Sequence, residues 1–387
     1  MNKLLDYQQL LDDYKNFINQ KFEDRYISFD DFEQALENDI FKNFEHQILG
    51  YSEQHRSIYS IEIGRGKTKI LIWSQMHGNE STTTKAIFDF FNFIVQEKSS
   101  DLVQKLLMTC HIQIIPMLNP DGATNYTRLN ANDFDLNRDA ILKSQKETRV
   151  FFENFYKFKP DFCFNMHGQR TIFSAGKVKY PATISFLAPS ADDELSINPT
   201  RLKAIKLISA TSEMLQNFMP NQIGRYDDAH NLNCFGDYIQ NYGVPTILFE
   251  AGHFADDYNR NETRKYVLIS FLKMIECIVN NSIDLYSEKT YFKIPLNEKL
   301  YLDCIIKNVK NSKSGYIGIQ FKEVLKGKYI VFQPYVNSLD DLSEFFAHRE
   351  IDAQHQDVKV NGLKILKNEI HIDDLQIGGE LVEFRFS

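Results

Sequence analysis

The chain has 387 residues, of which 43% are hydrophobic and 25% are charged, and this composition excludes collagen-like, disordered and coiled-coil proteins. The length predicts two domains, or one large domain with an appendage. The formal net charge of −8 argues against nucleic acid and anionic membrane surfaces as partners, because both bind basic protein faces.

Neither a targeting segment nor a disulfide framework is predicted. Asp6, Asp12 and Asp13 interrupt the segment where a signal peptide needs an apolar stretch. The sequence contains no run of about 18 apolar residues, so no transmembrane helix is predicted. The five cysteines are an odd number and include no C-x-x-C pair, which also argues against a cysteine zinc site. We therefore expect a cytoplasmic protein with reduced thiols.

Residues 1–49 are predicted to form a helical lead-in that packs on the next domain. Apolar side chains recur at helical spacing in its first part at Leu4, Tyr7, Leu11, Tyr14 and Ile18. This spacing predicts one amphipathic helix. A second helical stripe follows a capping start at Ser28.

Residues 50–287 are predicted to form one α/β domain, because short apolar runs alternate with helical segments. The predicted strands are 69–74, 112–118, 162–166, 183–187 and 246–249, and the predicted helices are 80–95, 200–219 and 258–280. This alternation indicates an α/β layered domain with a mostly parallel, buried sheet.

Residues 288–387 are predicted to form a small β-domain. The helical signal fades there, and short strand-like runs replace it. Asn361-Gly362 is typical of a two-residue hairpin turn.

In the domain predicted over residues 50–287, three strand ends carry potential zinc ligands or a catalytic carboxylate. His77 and Glu80 form an H-x-x-E pair directly after a buried strand, and His167 ends another apolar run. Glu250 ends a third run, at Thr246 to Phe249. Because ligand sites of open α/β sheets form at the carboxyl ends of strands, a His₂Glu zinc site with an open fourth position is predicted.

A polar segment between these strand ends carries two arginines. Asn119-Pro120-Asp121-Gly122 is a turn sequence. It is followed by Arg128 and then by the Asn137-Arg138 pair. Guanidinium groups donate in a planar fork, which favours recognition of a carboxylate or an oxyanion.

The order of these motifs resembles that of the zinc metallocarboxypeptidases, the superfamily of carboxypeptidase A. The resemblance covers about residues 50–285 and is closest to a bacterial-type cytoplasmic member. It implies a three-layer α/β/α fold around a mixed eight-stranded sheet, here followed by the small C-terminal β-domain. It also implies one zinc ion per chain, bound by His77, Glu80 and His167.

The resemblance further assigns roles to four side chains. Glu250 corresponds to the general base and proton shuttle, and Arg128 to the arginine that polarises the scissile carbonyl. Asn137 and Arg138 correspond to the pair that binds the terminal carboxylate of the substrate. The family's tyrosine before the catalytic glutamate does not align, and Tyr238 and Tyr242 are two candidates for it.

Three functions stay open on the sequence. The first is a zinc carboxypeptidase that hydrolyses the C-terminal bond of a peptide. The second is a zinc deacylase of N-acyl amino acids, because the similar aspartoacylase and succinylglutamate desuccinylase also carry a C-terminal β-domain. The third is a catalytically silent protein that binds partners through its β-domain. Gln169, Arg170, His230 and His253 are further candidates for the cleft, and the oligomeric state is not predicted.

Overall fold

A mixed eight-stranded sheet lies at the centre of the computed structural model, which describes residues 5–364 and 366–384. The strands in chain order are β1 (Glu45–Tyr51), β2 (Ser57–Ile63), β3 (Thr68–Ser74), β4 (Cys110–Ile115), β5 (Phe162–Gly168), β6 (Ser174–Ala175), β7 (Ile184–Leu187), β8 (Ile223–Arg225), β9 (Thr246–Ala251), β10 (Asn297–Glu298), β11 (Tyr301–Lys307), β12 (Ile317–Lys326), β13 (Tyr329–Ser338), β14 (Phe346–Asp352), β15 (Val358–Val360), β16 (Leu375–Ile377) and β17 (Glu380–Leu381). The α-helices are α1 (Tyr7–Asp12), α2 (Phe29–Ala35), α3 (Thr82–Gln96), α4 (Asp101–Thr109), α5 (Pro120–Asn125), α6 (Lys146–Phe158), α7 (Pro199–Leu215), α8 (Phe235–Asn241), α9 (Asn261–Val279) and α10 (Glu288–Lys293).

The strand order of the central sheet is β1-β2-β4-β3-β5-β9-β7-β8. Strands β4, β3, β5 and β9 run parallel to one another. The pairs β1–β2, β2–β4 and β7–β9 are antiparallel. The predicted mixed eight-stranded sheet is therefore confirmed.

The sheet is buried on both faces, as its apolar strands predict. On β3, Ile70 and Ile72 pack into one hydrophobic cluster with helices α3, α7 and α9. Leu71 and Trp73 point to the opposite face, where they pack with α6 and α8. Successive side chains of a strand point to opposite faces, so the continuous apolar run serves two helical layers and the predicted α/β/α architecture is confirmed.

The N-terminal segment differs from the prediction in two ways. The single amphipathic helix is wrong, because α1 ends at Asp12 and short 3-10 turns follow it; Leu4 lies outside the described residues. The chain bends there because Tyr14 donates to the buried carboxylate of Asp89, which is also paired with Arg264. The main sheet begins at Glu45, inside the predicted lead-in. The sequence does not predict this strand, because β1 is a mostly exposed edge strand without apolar alternation.

The C-terminal part forms two small sheets, which agrees with the β structure predicted there. One has the order β13-β12-β11-β14 and the other β15-β16-β17. The predicted turn at Asn361-Gly362 is confirmed, since both residues have positive φ and Val360 bridges to Leu363 across it. Helix α10 packs on α7, and β10 pairs with β6. The first residues of the predicted β-domain therefore pack against the α/β domain. Residues 385–387, at the end of the predicted β-domain, lie outside the described residues.

The five cysteines are free, as expected. None of the helices in the described ranges has the length and hydropathy needed to cross a bilayer.

Candidate active site

The predicted site residues meet at one edge of the central sheet. Strands β3, β5 and β9 are neighbours, and their carboxyl ends carry His77 with Glu80, His167 and Glu250, respectively. His167 and Glu250 are register partners on adjacent parallel strands. All four side chains line one cleft with a volume of about 980 Å³.

Three of these side chains form a cluster that fits a zinc ion. The Nδ1 atoms of His77 and His167 lie 3.1 Å apart. The Glu80 carboxylate lies 2.8 Å from the first and 2.9 Å from the second. Two nitrogen ligands about 2.0–2.1 Å from a tetrahedral zinc ion would be roughly 3.3 Å apart. The donor atoms and their spacing therefore match a His₂Glu zinc site.

A close packing of two turns holds the first two ligands in place. A Cβ atom on Gly78 would lie 1.9 Å from the carbonyl carbon of Gly122, so the turn between His77 and Glu80 needs a glycine. Asn119 joins the same two turns, because its side chain donates to the Met76 carbonyl and accepts from Gly122 N–H. The N-P-D-G sequence, which by itself predicts only a turn, thus packs against the H-x-x-E turn and stabilises it.

Asp135 is a site residue whose role the sequence reasoning missed. Its Oδ1 atom lies 3.1 Å from His77 Nε2 and accepts from Asn137 N–H at 2.9 Å. Its Oδ2 atom accepts from Arg128 Nε and Nη2 at 3.1 and 3.0 Å. The Asp135 carboxylate therefore orients the predicted zinc ligand His77, and it also contacts Arg128 and the backbone of Asn137. The available signal was its position two residues before Asn137, in the D-L-N-R sequence.

Replacing Asp135 with asparagine is expected to weaken zinc binding about 10–100-fold, as is usual when the carboxylate partner of a metal-binding histidine is changed. Competition with a fluorescent zinc chelator measures this affinity. Asp133→Asn is the matched control, because Asp133 is exposed in the same loop and its φ of +56° suits asparagine as well. Equal affinities for Asp135→Asn and the wild type would contradict the orienting role.

The cluster's electrostatics suit metal binding. Burial lowers the pKa of His167, which favours the neutral imidazole that binds metals. Burial opposes ionisation of Glu80, but His77 and His167 outweigh it and bring the pKa of Glu80 well below its ordinary value. For His77, burial acts to lower the pKa, but Glu80 and Asp135 outweigh burial and raise it. The cluster thus presents a carboxylate and the neutral His167 ring to a cation, and His77 must release a proton to bind one.

Glu250 is partly buried, and one of its carboxylate oxygens is unpaired. Its Oε2 atom has no hydrogen-bond partner. Burial, and then the nearby carboxylate of Glu80, raise the pKa of Glu250 well above its ordinary value. A carboxyl group in this environment is suited to take up a proton and release it again.

Asn137 and Arg138 line the same cleft from a short 3-10 turn, Leu136–Arg138, which contacts the start of α8. The Asn137 side chain accepts from Phe235 N–H at 2.9 Å, which fixes the loop. Arg138 is exposed, and its Nη1 atom donates to the Asn137 carbonyl at 2.6 Å and lies 3.1 Å from Cys234 Sγ. Because no carboxylate pairs with Arg138 among the described residues, its guanidinium can receive one from a ligand.

Two of the four further candidates line the cleft. Gln169 and Arg170 line the cleft, and His230 and His253 do not. His230 instead pairs with Asp193 at 2.7 Å. His253 is buried against His348 of the β-domain, with ring centroids 4.2 Å apart.

Neither tyrosine candidate reaches the cleft. The Tyr238 hydroxyl bonds to Tyr156 and Lys143, and Tyr242 is 60% exposed on the surface. Tyr226 lines the cleft near Glu250 instead, and it raises no signal in the sequence because it lies in a loop of irregular spacing.

Comparisons with known proteins agree with this geometry. A sequence model of the zinc carboxypeptidase family matches residues 30–193. The resemblance to the zinc carboxypeptidases is confirmed. The matched range includes His77, Glu80 and His167 but ends before Glu250.

Curated relatives share part of the chain. Carboxypeptidase 2 of Trichophyton rubrum is 30% identical over 143 residues, which are 36% of this chain and 25% of that protein. Carboxypeptidase D of Mus musculus is 30% identical over 164 residues, or 37% of this chain and 12% of that protein. The match thus spans a quarter or less of the length of these relatives.

Solved structures share the fold over a longer range. A metallo-carboxypeptidase from Burkholderia cenocepacia superposes with a TM-score of 0.54 and 17% identity, and covers 67% of this chain and 71% of its own. Carboxypeptidase A of Helicoverpa armigera gives 0.52 and 16%, and covers 71% and 80%. At these identities the likeness establishes the fold.

Proposed function

We propose that the protein is a zinc-dependent metallocarboxypeptidase that hydrolyses the C-terminal bond of a peptide. The observation that carries the proposal is the convergence of His77, Glu80 and His167 in one cleft with Glu250 and Arg138. No carboxylate in the described part of the chain pairs with Arg138. A silent binding protein would not need a zinc-ligand cluster beside the partly buried carboxylate of Glu250, and we therefore do not favour that alternative.

The proposed reaction is an attack of water on the scissile carbonyl. A zinc ion at the cluster would lower the pKa of water and polarise the carbonyl. Glu250 takes the proton of the attacking water and returns it to the leaving nitrogen. Arg128 lies 3.4 Å from Glu80 through its Nη1 atom, so its guanidinium is placed beside the cluster to stabilise the developing oxyanion.

Arg138 and Asn137 would select the chain end. A guanidinium that binds the terminal carboxylate places the last peptide bond beside Glu250. This positioning increases the rate of hydrolysis, because the reacting groups are held in a productive geometry. An internal peptide bond has no carboxylate at this place and would not be aligned. The substrate is therefore a peptide with a free C-terminus.

A deacylase of N-acyl amino acids is the second candidate. Its products also carry a free carboxylate, and residues of the β-domain, among them Lys322, Gln333 and Tyr335, line the cleft and bound the space for an acyl group. A panel of N-acyl amino acids and peptides of two to six residues separates the two functions by kcat/KM. Higher values for the peptides support the carboxypeptidase, and values only for the N-acyl amino acids contradict it.

The two arginines are expected to differ when each is replaced by lysine. Arg138→Lys keeps the charge but loses the planar fork, so KM should rise about tenfold and kcat should also fall through poorer positioning. Arg128→Lys should lower kcat about 10²-fold with little change in KM, because its partner charge develops in the transition state. Steady-state kinetics on one peptide measures both. The same kinetic change in both variants would contradict the separate roles.

The cysteine usage supports a cytoplasmic location as a further part of the proposal, and the net charge of −8 supports the proposal that nucleic acid and membranes are not partners.

A further inference from the structure

Three distant parts of the chain meet in the cleft through one carboxylate. Glu323 lies on β12 of the β-domain, and it accepts a hydrogen bond from the hydroxyl of Tyr126. Arg25, from the N-terminal segment, forms an ion pair with the same carboxylate at 3.3 Å. All three side chains line the cleft.

Both partners of Glu323 are close in sequence or space to proposed catalytic groups. Tyr126 stands two residues before Arg128, in the loop that follows α5. Arg25 also donates to Thr82 at 3.0 Å and lies 3.4 Å from Ser81 Oγ, and these residues directly follow the ligand Glu80. Glu323 therefore contacts the two segments that carry Arg128 and Glu80, through Tyr126 and Arg25, respectively.

The backbone of Tyr126 has a conformation that needs support. It ends α5 with φ 54° and ψ 44°, in the left-handed region. Glycine usually occupies this position at a helix end, and a bulky residue there indicates a conformation that the surroundings impose. The hydrogen bond to Glu323 is the contact of the Tyr126 hydroxyl in the structure, so it fixes the direction in which the chain leaves α5 toward Arg128.

The Glu323 carboxylate is held ionised. Burial acts to raise its pKa, but the guanidiniums of Arg25 and Arg260 outweigh burial and lower the pKa below the ordinary value. An ionised acceptor makes a stronger hydrogen bond than a neutral one. The acceptor for Tyr126 is thus both charged and fixed by the ion pair.

We propose that Glu323 and Tyr126 are positioning residues for Arg128, so that the C-terminal β-domain completes the active site. This inference rests on the proposed function, since it assigns a kinetic consequence to Arg128. Loss of the Tyr126–Glu323 bond lets the loop after α5 relax, and the guanidinium of Arg128 then leaves the place where the oxyanion develops. The transition state is affected more than substrate binding.

Tyr126→Phe is the principal test, because it removes one hydroxyl and keeps the ring. We expect kcat to fall about tenfold with KM within twofold of the wild type and with unchanged zinc content. Glu323→Gln keeps an acceptor and should lose less activity than Glu323→Ala; if Glu323→Ala fails to fold, Tyr126→Phe and Glu323→Gln still decide the question.

Tyr59→Phe is the matched control. Its hydroxyl also donates to a glutamate, Glu33, at 2.6 Å, and that bond also joins the N-terminal segment to the rest of the chain. Tyr59 does not line the cleft. Wild-type kinetics for this control, together with reduced kcat for Tyr126→Phe, support the positioning role, and an equal loss of kcat in both variants overturns it.

A double-mutant cycle with Arg128→Lys tests whether the tyrosine acts through the arginine. If it does, Tyr126→Phe causes no further loss of kcat in the Arg128→Lys background, whereas independent effects multiply and overturn the inference. Arg128→Lys alone keeps the two claims apart. Wild-type kcat in that variant contradicts the proposed function, and reduced kcat there with wild-type kcat in Tyr126→Phe overturns the positioning role alone.

Discussion

Replacing Glu250 with glutamine is expected to lower kcat by about 10²–10⁴-fold, the usual contribution of a positioned general base. The amide has nearly the same shape but cannot take up and return a proton. The variant should keep its zinc, because Glu250 is not one of the three clustered ligands. Single-turnover kinetics together with elemental analysis measures both properties.

Glu153→Gln is the control for this substitution, since Glu153 is exposed on α6. It should behave as the wild type. Near wild-type turnover in Glu250→Gln would remove Glu250 from the role of base, and loss of zinc would instead place it among the ligands.

Replacing His77 with alanine is expected to abolish tight zinc binding and with it the activity. The wild type should be stabilised by zinc, because a ligand that binds the native state at a thousandfold excess over its Kd contributes about 4 kcal/mol. Thermal unfolding with and without added zinc measures this effect. The melting temperature of His77→Ala should not respond to zinc.

His46→Ala is the control, because His46 is exposed on the edge strand β1. It should keep the zinc-dependent rise in melting temperature. The same rise in His77→Ala would show that the metal binds elsewhere.

The sequence predicts the site residues that lie at the carboxyl ends of strands. His77, His167 and Glu250 each follow a continuous apolar run, and parallel strands bring such positions to one edge of the sheet. The ligand cluster thus follows from local pattern and one topological rule. The roles of Asn137 and Arg138 came from family resemblance, and the structure places both in the cleft.

The sequence does not predict groups that act across long separations. Asp135 contacts His77 from 58 residues away, and Glu323 contacts Tyr126 from 197 residues away. No periodicity or spacing links such residues, because their contact depends on how loops and domains pack. The edge strand β1 was missed for a different reason, since its exposed residues show no apolar alternation.

The most direct test of the central claim compares a peptide that has a free C-terminus with the same peptide as its C-terminal amide. Mass spectrometry of the zinc-loaded protein with each peptide follows the loss of single residues from the end. The account predicts stepwise shortening of the free acid, at least tenfold slower cleavage of the amide because Arg138 has no charged partner, and none of either peptide after chelation of zinc. Equal cleavage of the acid and the amide would contradict it.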